Sequence, residues 1–210
     1  MRLKSAQRGD TIIEVLFAVA VFAMVAVASM TIMNQATATA QRSLEITLVR
    51  QQIDAQAEAI RYIHQAYVAS FQKDGPAPTG TAGEWVKITN PTTGKGATRA
   101  SEFGVVNGES CLATTPGEKP FILNARTARL HATTPAMQPP AGMSVPPFAQ
   151  VQYDASSVIT MTYGLWVEAV PSTGSAQTGF VDFHIRACWQ SPGSSAPMTL
   201  GTIVRLYEPR

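Results

Sequence analysis

The only acid within the most apolar stretch of the chain is Glu14. From residue 12 to residue 33 only Glu14, Ser29 and Thr31 interrupt a run of Ile, Val, Leu, Phe, Met and Ala. Two kinds of chemistry are open to a carboxylate in that setting. It can serve its own helix, because Thr11 and Glu14 stand at capping-box spacing and an acid in the first turn suits the positive end of the helix dipole. It can also pair with a cation, an attraction that is strong where the dielectric is low and both charges lose water together. An acid at the centre of a membrane helix costs about 2.5–3.5 kcal/mol, so one of these must compensate.

The other reactive side chains are scattered. His64, His131 and His184 lie far apart in sequence, and no HExxH, GxSxG, GxxxxGK[ST] or GxGxxG string occurs. Gly94-Lys95-Gly96 reads as a turn. The expectation is a protein that is not an enzyme, with no catalytic residues, no cofactor and no metal. Cys111 and Cys188 form neither a CxxC pair nor a metal-ligand pattern with His. In an extracytoplasmic head they form one disulfide closing a long loop, worth roughly 2–4 kcal/mol; the alternative is two buried thiols. Trp85, Trp166 and Trp189 read as core or interface residues.

The elements that must position these groups begin with the charge pattern. The net charge is +2, with 16 basic and 14 acidic residues. Arg2, Lys4 and Arg8 precede the first acid, and setting them aside leaves a nearly neutral body. No later run of Lys or Arg exists to meet a phosphate backbone, so direct nucleic-acid binding is not indicated. Residues 12–33 match the ~20 residues that cross a hydrocarbon core. Arg42 and Arg50 beyond the run keep the charge bias across it modest.

Four readings compete for this segment. A buried helix of a soluble protein is rarely apolar on every face. A plain signal anchor leaves the placement of Glu14 without a reason. A secretory signal peptide finds small-residue sites in Ala36-Thr37-Ala38-Thr39-Ala40, but its apolar core would be too long and would carry Asp10 and Glu14 at its start. The fourth rests on the string Arg8-Gly9-Asp10-Thr11-Ile12-Ile13-Glu14-Val15-Leu16-Phe17-Ala18.

That string resembles the leader junction of type IV prepilins and pseudopilins, the class III signal peptides. The resemblance implies a basic leader cleaved after Gly9, N-methylation of the new terminus at Asp10, and an assembly role for Glu14, which pairs with the amino group of Asp10 on an adjacent subunit. The family usually begins its mature chain with Phe, where this chain has Asp10, and major pilins often carry helix breakers that residues 12–33 lack. The form Glu14-Val15-Leu16 with Ala18 resembles minor pilins and minor pseudopilins.

Beyond the apolar run, Ile46, Val49, Ile53, Ala57, Ile60, Ile63, Tyr67 and Phe71 recur at steps of three and four, the spacing of an amphipathic helix. With no Gly or Pro between Asp10 and Lys73, one helix is expected over 12–71, roughly 90 Å long. The Gly- and Pro-rich stretch 73–83 ends it. Strands are expected at 84–89, 103–106 and 120–124, then an irregular segment with Pro135, Pro139, Pro140, Pro146 and Pro147. Stronger strands follow at 158–170, 180–189 and 202–207, an antiparallel meander with one face on the helix stripe.

The expected fold is α+β, a long N-terminal helix packed on an antiparallel β-sheet head. Its divisions are a leader 1–9, a membrane-spanning or filament-core half of the helix 10–36, an amphipathic half 37–72 and an extracytoplasmic β-rich head 73–210. The resemblance implies a minor structural subunit of a type IV pilus or related filament, with a minor pseudopilin of a secretion or DNA-uptake system as a variant of the same reading. Its implied partners are other pilin subunits, the prepilin peptidase, the inner-membrane assembly platform and membrane lipid before assembly. The chain would then be a single-pass cytoplasmic membrane protein, later part of an extracellular filament. A reading of a different class is a monomeric membrane-anchored or secreted β-rich binding or adhesion module that recognises a ligand through the Pro-rich segment.

Overall fold

The computed structural model describes every residue except 1–9, 98–99, 101–102, 107–109, 114–118, 132–144, 173–178, 192–193, 195 and 210. Of residues 10–11, 103–106 and 110–113 it describes the backbone alone. The chain divides into two compact units, Met1–Leu44 and Glu45–Arg210.

One helix, α1 (Asp10–Ser70), runs through both, in keeping with a stretch free of Gly and Pro. In the first unit it is exposed on every face: Phe17 is 71 % and Phe22 74 % accessible, and the most apolar stretch has a mean hydropathy of 2.6 with none of it buried. The helix is long and apolar enough to cross a membrane. Four of its hydroxyls are satisfied within the helix. Ser29, Thr31, Thr37 and Thr39 donate to the carbonyls of Val25, Val27, Met33 and Gln35 at 2.8–3.0 Å, so none needs water.

In the second unit α1 turns amphipathic as its spacing requires. Val49, Ile53, Ala57, Ile60 and Ile63 are buried in one core, with Ile46 and Tyr67 packed at its margin. Polar side chains on the same face bond to strands. The Gln56 amide accepts from Leu123 N–H at 3.0 Å and donates to Leu123 C=O at 2.9 Å, taking the place of a neighbouring strand.

The stretch 84–89, expected as a strand, is instead the end of helix α2 (Gly80–Thr89). Trp85, Val86, Ile88 and Thr89 favour strands by type, but Ala82, Trp85 and Ile88 recur every third residue and bury together on one helical face. Gly83 fits because a side chain there would collide with the Pro78 carbonyl, and Gly80 supplies a positive φ of 62° at the helix start.

Strands β1 (Phe103–Val106) and β2 (Ser110–Ala113) form an antiparallel pair, and the expected strand 103–106 is found. Only Leu123–Asn124 (β3) of the expected strand 120–124 is regular; it pairs with β4 (Arg129–Leu130), while Phe121 bridges separately to Val167. Strand β5 (Gln150–Tyr153) pairs with β6 (Ile159–Tyr163).

The expected strand 158–170 is two strands, β6 and β7 (Leu165–Pro171), broken at Gly164. Gly164 has φ 60° and lies so close to the Cys188 carbonyl that no side chain fits. β7, β8 (Phe180–Trp189) and β9 (Met198–Tyr207) make the antiparallel meander, with β9 beginning earlier than expected. Alternation along β8 buries Val181, Phe183, Ile185, Ala187 and Trp189 in the same core as the helix stripe. The observed class is thus α+β with antiparallel sheets.

Two hydrogen bonds fix the direction of the sheet against α1 within this unit. Trp189 Nε1 donates to Glu45 at 3.1 Å at one end, and His64 Nε2 meets the Tyr207 carbonyl at 2.8 Å at the other. Since Trp189 lies opposite Met198, β9 runs from beside Glu45 to beside His64, in the same sense as the helix. The lengths agree: about 28 Å of helix between those residues against ~30 Å of strand.

Candidate functional site

Asp10 and Glu14 stand one turn apart on α1, so the two carboxylates' backbone positions share a helix face. Glu14 is exposed, flanked by exposed Ile13, Val15, Leu16 and Phe17. Gly9 lies outside the described residues, as do the side chains of Asp10 and Thr11, so the capping-box geometry is not described. Cys188 is disulfide-bonded at the end of β8. Cys111 belongs to β2, whose side chains lie outside the described residues. Of the Pro-rich segment, Pro135, Pro139 and Pro140 also lie outside them.

The histidines are not brought together. His64 is part-buried against Trp85, with ring centroids 4.8 Å apart, and must carry its proton on Nε2 because the Tyr207 carbonyl can only accept. His131 sits after β4, where its backbone N–H donates to Ile122 O. His184 stands on β8 between Glu168 of β7 and Ile203 of β9. Among the described residues no group of three or more His, Cys, Asp and Glu is placed to hold a metal ion. A surface groove of about 560 Å³ among the described residues has Glu58, Arg61, Tyr62, Gln65 and Arg126 in its lining and no His, Cys or Ser.

Sequence reasoning missed the polar groups inside the head. Glu45 is 7 % exposed and bound to the Trp189 indole, and Glu84 accepts from Leu130 N–H and from Lys87. Glu168 is fully buried, with the Arg186 guanidinium 3.7 Å away. A signal existed for the helix residues: Glu45, Gln52 and Gln56 occupy positions of the apolar stripe, where a polar side chain needs a partner. Nothing comparable marks Glu168.

These charges give the head a pH dependence. Burial pushes the His184 imidazole below its usual 6.5; Arg186 pushes it the same way, and Glu168 and Asp182 oppose. Burial likewise lowers His131. A histidine that is harder to protonate folded than unfolded adds stability above its unfolded value, and that contribution is lost as the pH falls through the lower, folded one. The melting temperature is therefore expected to fall as pH drops below about 6.5, and His184→Gln to flatten part of that decline. Equal slopes for the variant and the unaltered protein would remove His184 from this account.

No family model, curated protein or solved structure matches the chain.

Proposed function

We propose that this chain is a minor structural subunit of a type IV pilus or related filament, cut between Gly9 and Asp10 and polymerised through the apolar half of α1. The observation that carries the reading is a helix that exposes Ile12, Ile13, Val15, Leu16, Phe17 and Phe22 on all sides, with Glu14 the only acid among them. Exposed apolar surface of that extent needs lipid or other helices around it. In this reading lipid surrounds it before assembly and neighbouring subunits surround it afterwards.

The chemistry is packing plus one charge pair. Cleavage after Gly9 creates an amino group on Asp10, where the prepilin peptidase also methylates it. In a bundle the amino group of one subunit neutralises Glu14 of the next, and because an unpaired charge in that setting is costly, the pair sets the axial register. The assembly platform in the inner membrane then adds subunits, whose heads form the outside of the filament.

Mass spectrometry of the native N-terminus tests this most directly. A chain beginning at Asp10, methylated or not, is the expected result. A chain beginning near Ala40 or keeping Met1 would point instead to a monomeric secreted or membrane-anchored binding module.

A further inference from the structure

Strand β9 is the outer strand of the β7–β8–β9 sheet and pairs with β8 over ten consecutive residues without a register shift. Beyond it, Glu208 N–H donates to Gly179 O at 3.0 Å, continuing the ladder by one more pair. Antiparallel alternation then decides the rest. Met198, Leu200, Thr202, Val204 and Leu206 turn their backbone groups toward β8, while Thr199, Gly201, Ile203, Arg205 and Tyr207 turn theirs outward. The Tyr207 carbonyl is capped by His64. The outward groups of Thr199, Gly201, Ile203 and Arg205 bond to no described residue, and all four residues are exposed.

A bare edge of this kind is ordinarily guarded by Pro, Lys or a bulge. β9 has none of these. It instead shows Ile203, 60 % exposed, beside the open backbone. The opposite edge of the sheet differs, since β7 is engaged by Phe121 at Val167 and by Ala97 at Ala169.

We propose that the outer edge of β9 is a strand-acceptor site, which takes an extended segment of a different polypeptide by main-chain hydrogen bonds over residues 199–205. The chemistry of the edge names the partner: alternating N–H and C=O groups at strand spacing match another extended backbone, about seven residues long. Ile203 asks for an apolar or β-branched neighbour. Arg205, the only charge on β9, is already held by both carboxylate oxygens of Asp182 at 2.7 Å, so the edge offers no open charge and the incoming strand is neutral. A second copy's β9 does not fit in the antiparallel sense. Antiparallel pairing of two β9 edges requires a twofold axis, which sets the two α1 segments running in opposite directions, and a filament of one polarity forbids that. This exclusion rests on the filament reading; the edge itself does not.

Hydrogen exchange followed by NMR on the full chain in detergent micelles tests the site. The probe is a synthetic nine-residue neutral peptide of alternating Thr and Val. Without it, the amides of Gly201, Ile203 and Arg205 should exchange at least ten-fold faster than those of Thr202 and Val204. With it, they should slow at least ten-fold. Ile203→Pro removes an outward donor and spares the bonds to β8, so it should abolish that protection with little change in melting temperature. The same peptide N-methylated on its β9-facing amides should protect nothing on the unaltered chain, a control that holds even if the Pro variant misfolds. Outward amides as protected as inner ones, protection by the N-methylated peptide, no protection by the plain one, or dimers of the chain closing through β9 would each overturn the proposal. None of these results touches the N-terminus, so the start of the native chain at Asp10 stands or falls separately.

Discussion

Glu14→Ala is expected to leave a processed subunit that resides in the membrane at normal abundance but is at least ten-fold depleted from sheared filaments. Alanine is a better helix former than glutamate and removes a charge from an apolar face, so membrane residence should hold or improve. What is lost is the partner for the amino group of Asp10. That amine, left without a counter-charge among packed helices, carries the desolvation penalty that excludes the subunit. Glu14→Asp, which keeps the charge on a shorter arm, should recover part of the incorporation, whereas Glu14→Gln should not. Quantitative immunoblotting of membrane and filament fractions reads all three. Normal incorporation of the alanine variant would end the pairing role.

The second large effect concerns the tryptophans of the head. Trp85 is 1 % exposed and packs against His64, Tyr67 and Phe183, so Trp85→Ala should destabilise the head by about 3–5 kcal/mol, roughly 10 °C in melting temperature. The phenylalanine variants separate packing from hydrogen bonding. The Trp85 Nε1 has no partner among the described residues, while that of Trp189 donates to buried Glu45. Trp85→Phe should therefore cost about 1 kcal/mol, and Trp189→Phe about 2–3 kcal/mol, because it strips a buried carboxylate of its donor. Calorimetry on the three variants reads the order; equal losses for the two phenylalanine variants would mean that the Glu45 bond contributes nothing.

These contrasts mark where the sequence was legible. The continuous helix followed from the lack of Gly and Pro, and its buried stripe from the three- and four-residue spacing of Val49, Ile53, Ala57, Ile60 and Ile63. The meander followed from alternation in β8 and the turn-rich breaks beside it. Helix α2 was misread because its residue types favour strands while their spacing favours a helix, and over ten residues the spacing governs burial. The break at Gly164 was hidden in an apolar run, since its cause is a carbonyl that approaches from Cys188. The same limit applies to polar groups. Glu14 stands out by its neighbours in the chain, but Glu45 depends on a side chain 144 residues away, a relation that no local pattern carries.

The shared direction of α1 and β9, tied at Glu45 and at His64, has a mechanical consequence. Tension along that part of the helix reaches the sheet nearly parallel to its strands, so the rungs of the β8–β9 ladder are strained together in shear instead of being unzipped one at a time. Rupture then requires many bonds to fail at once. Single-molecule pulling along α1 should accordingly need several times the force of pulling across the sheet, and equal forces in the two directions would contradict this load path.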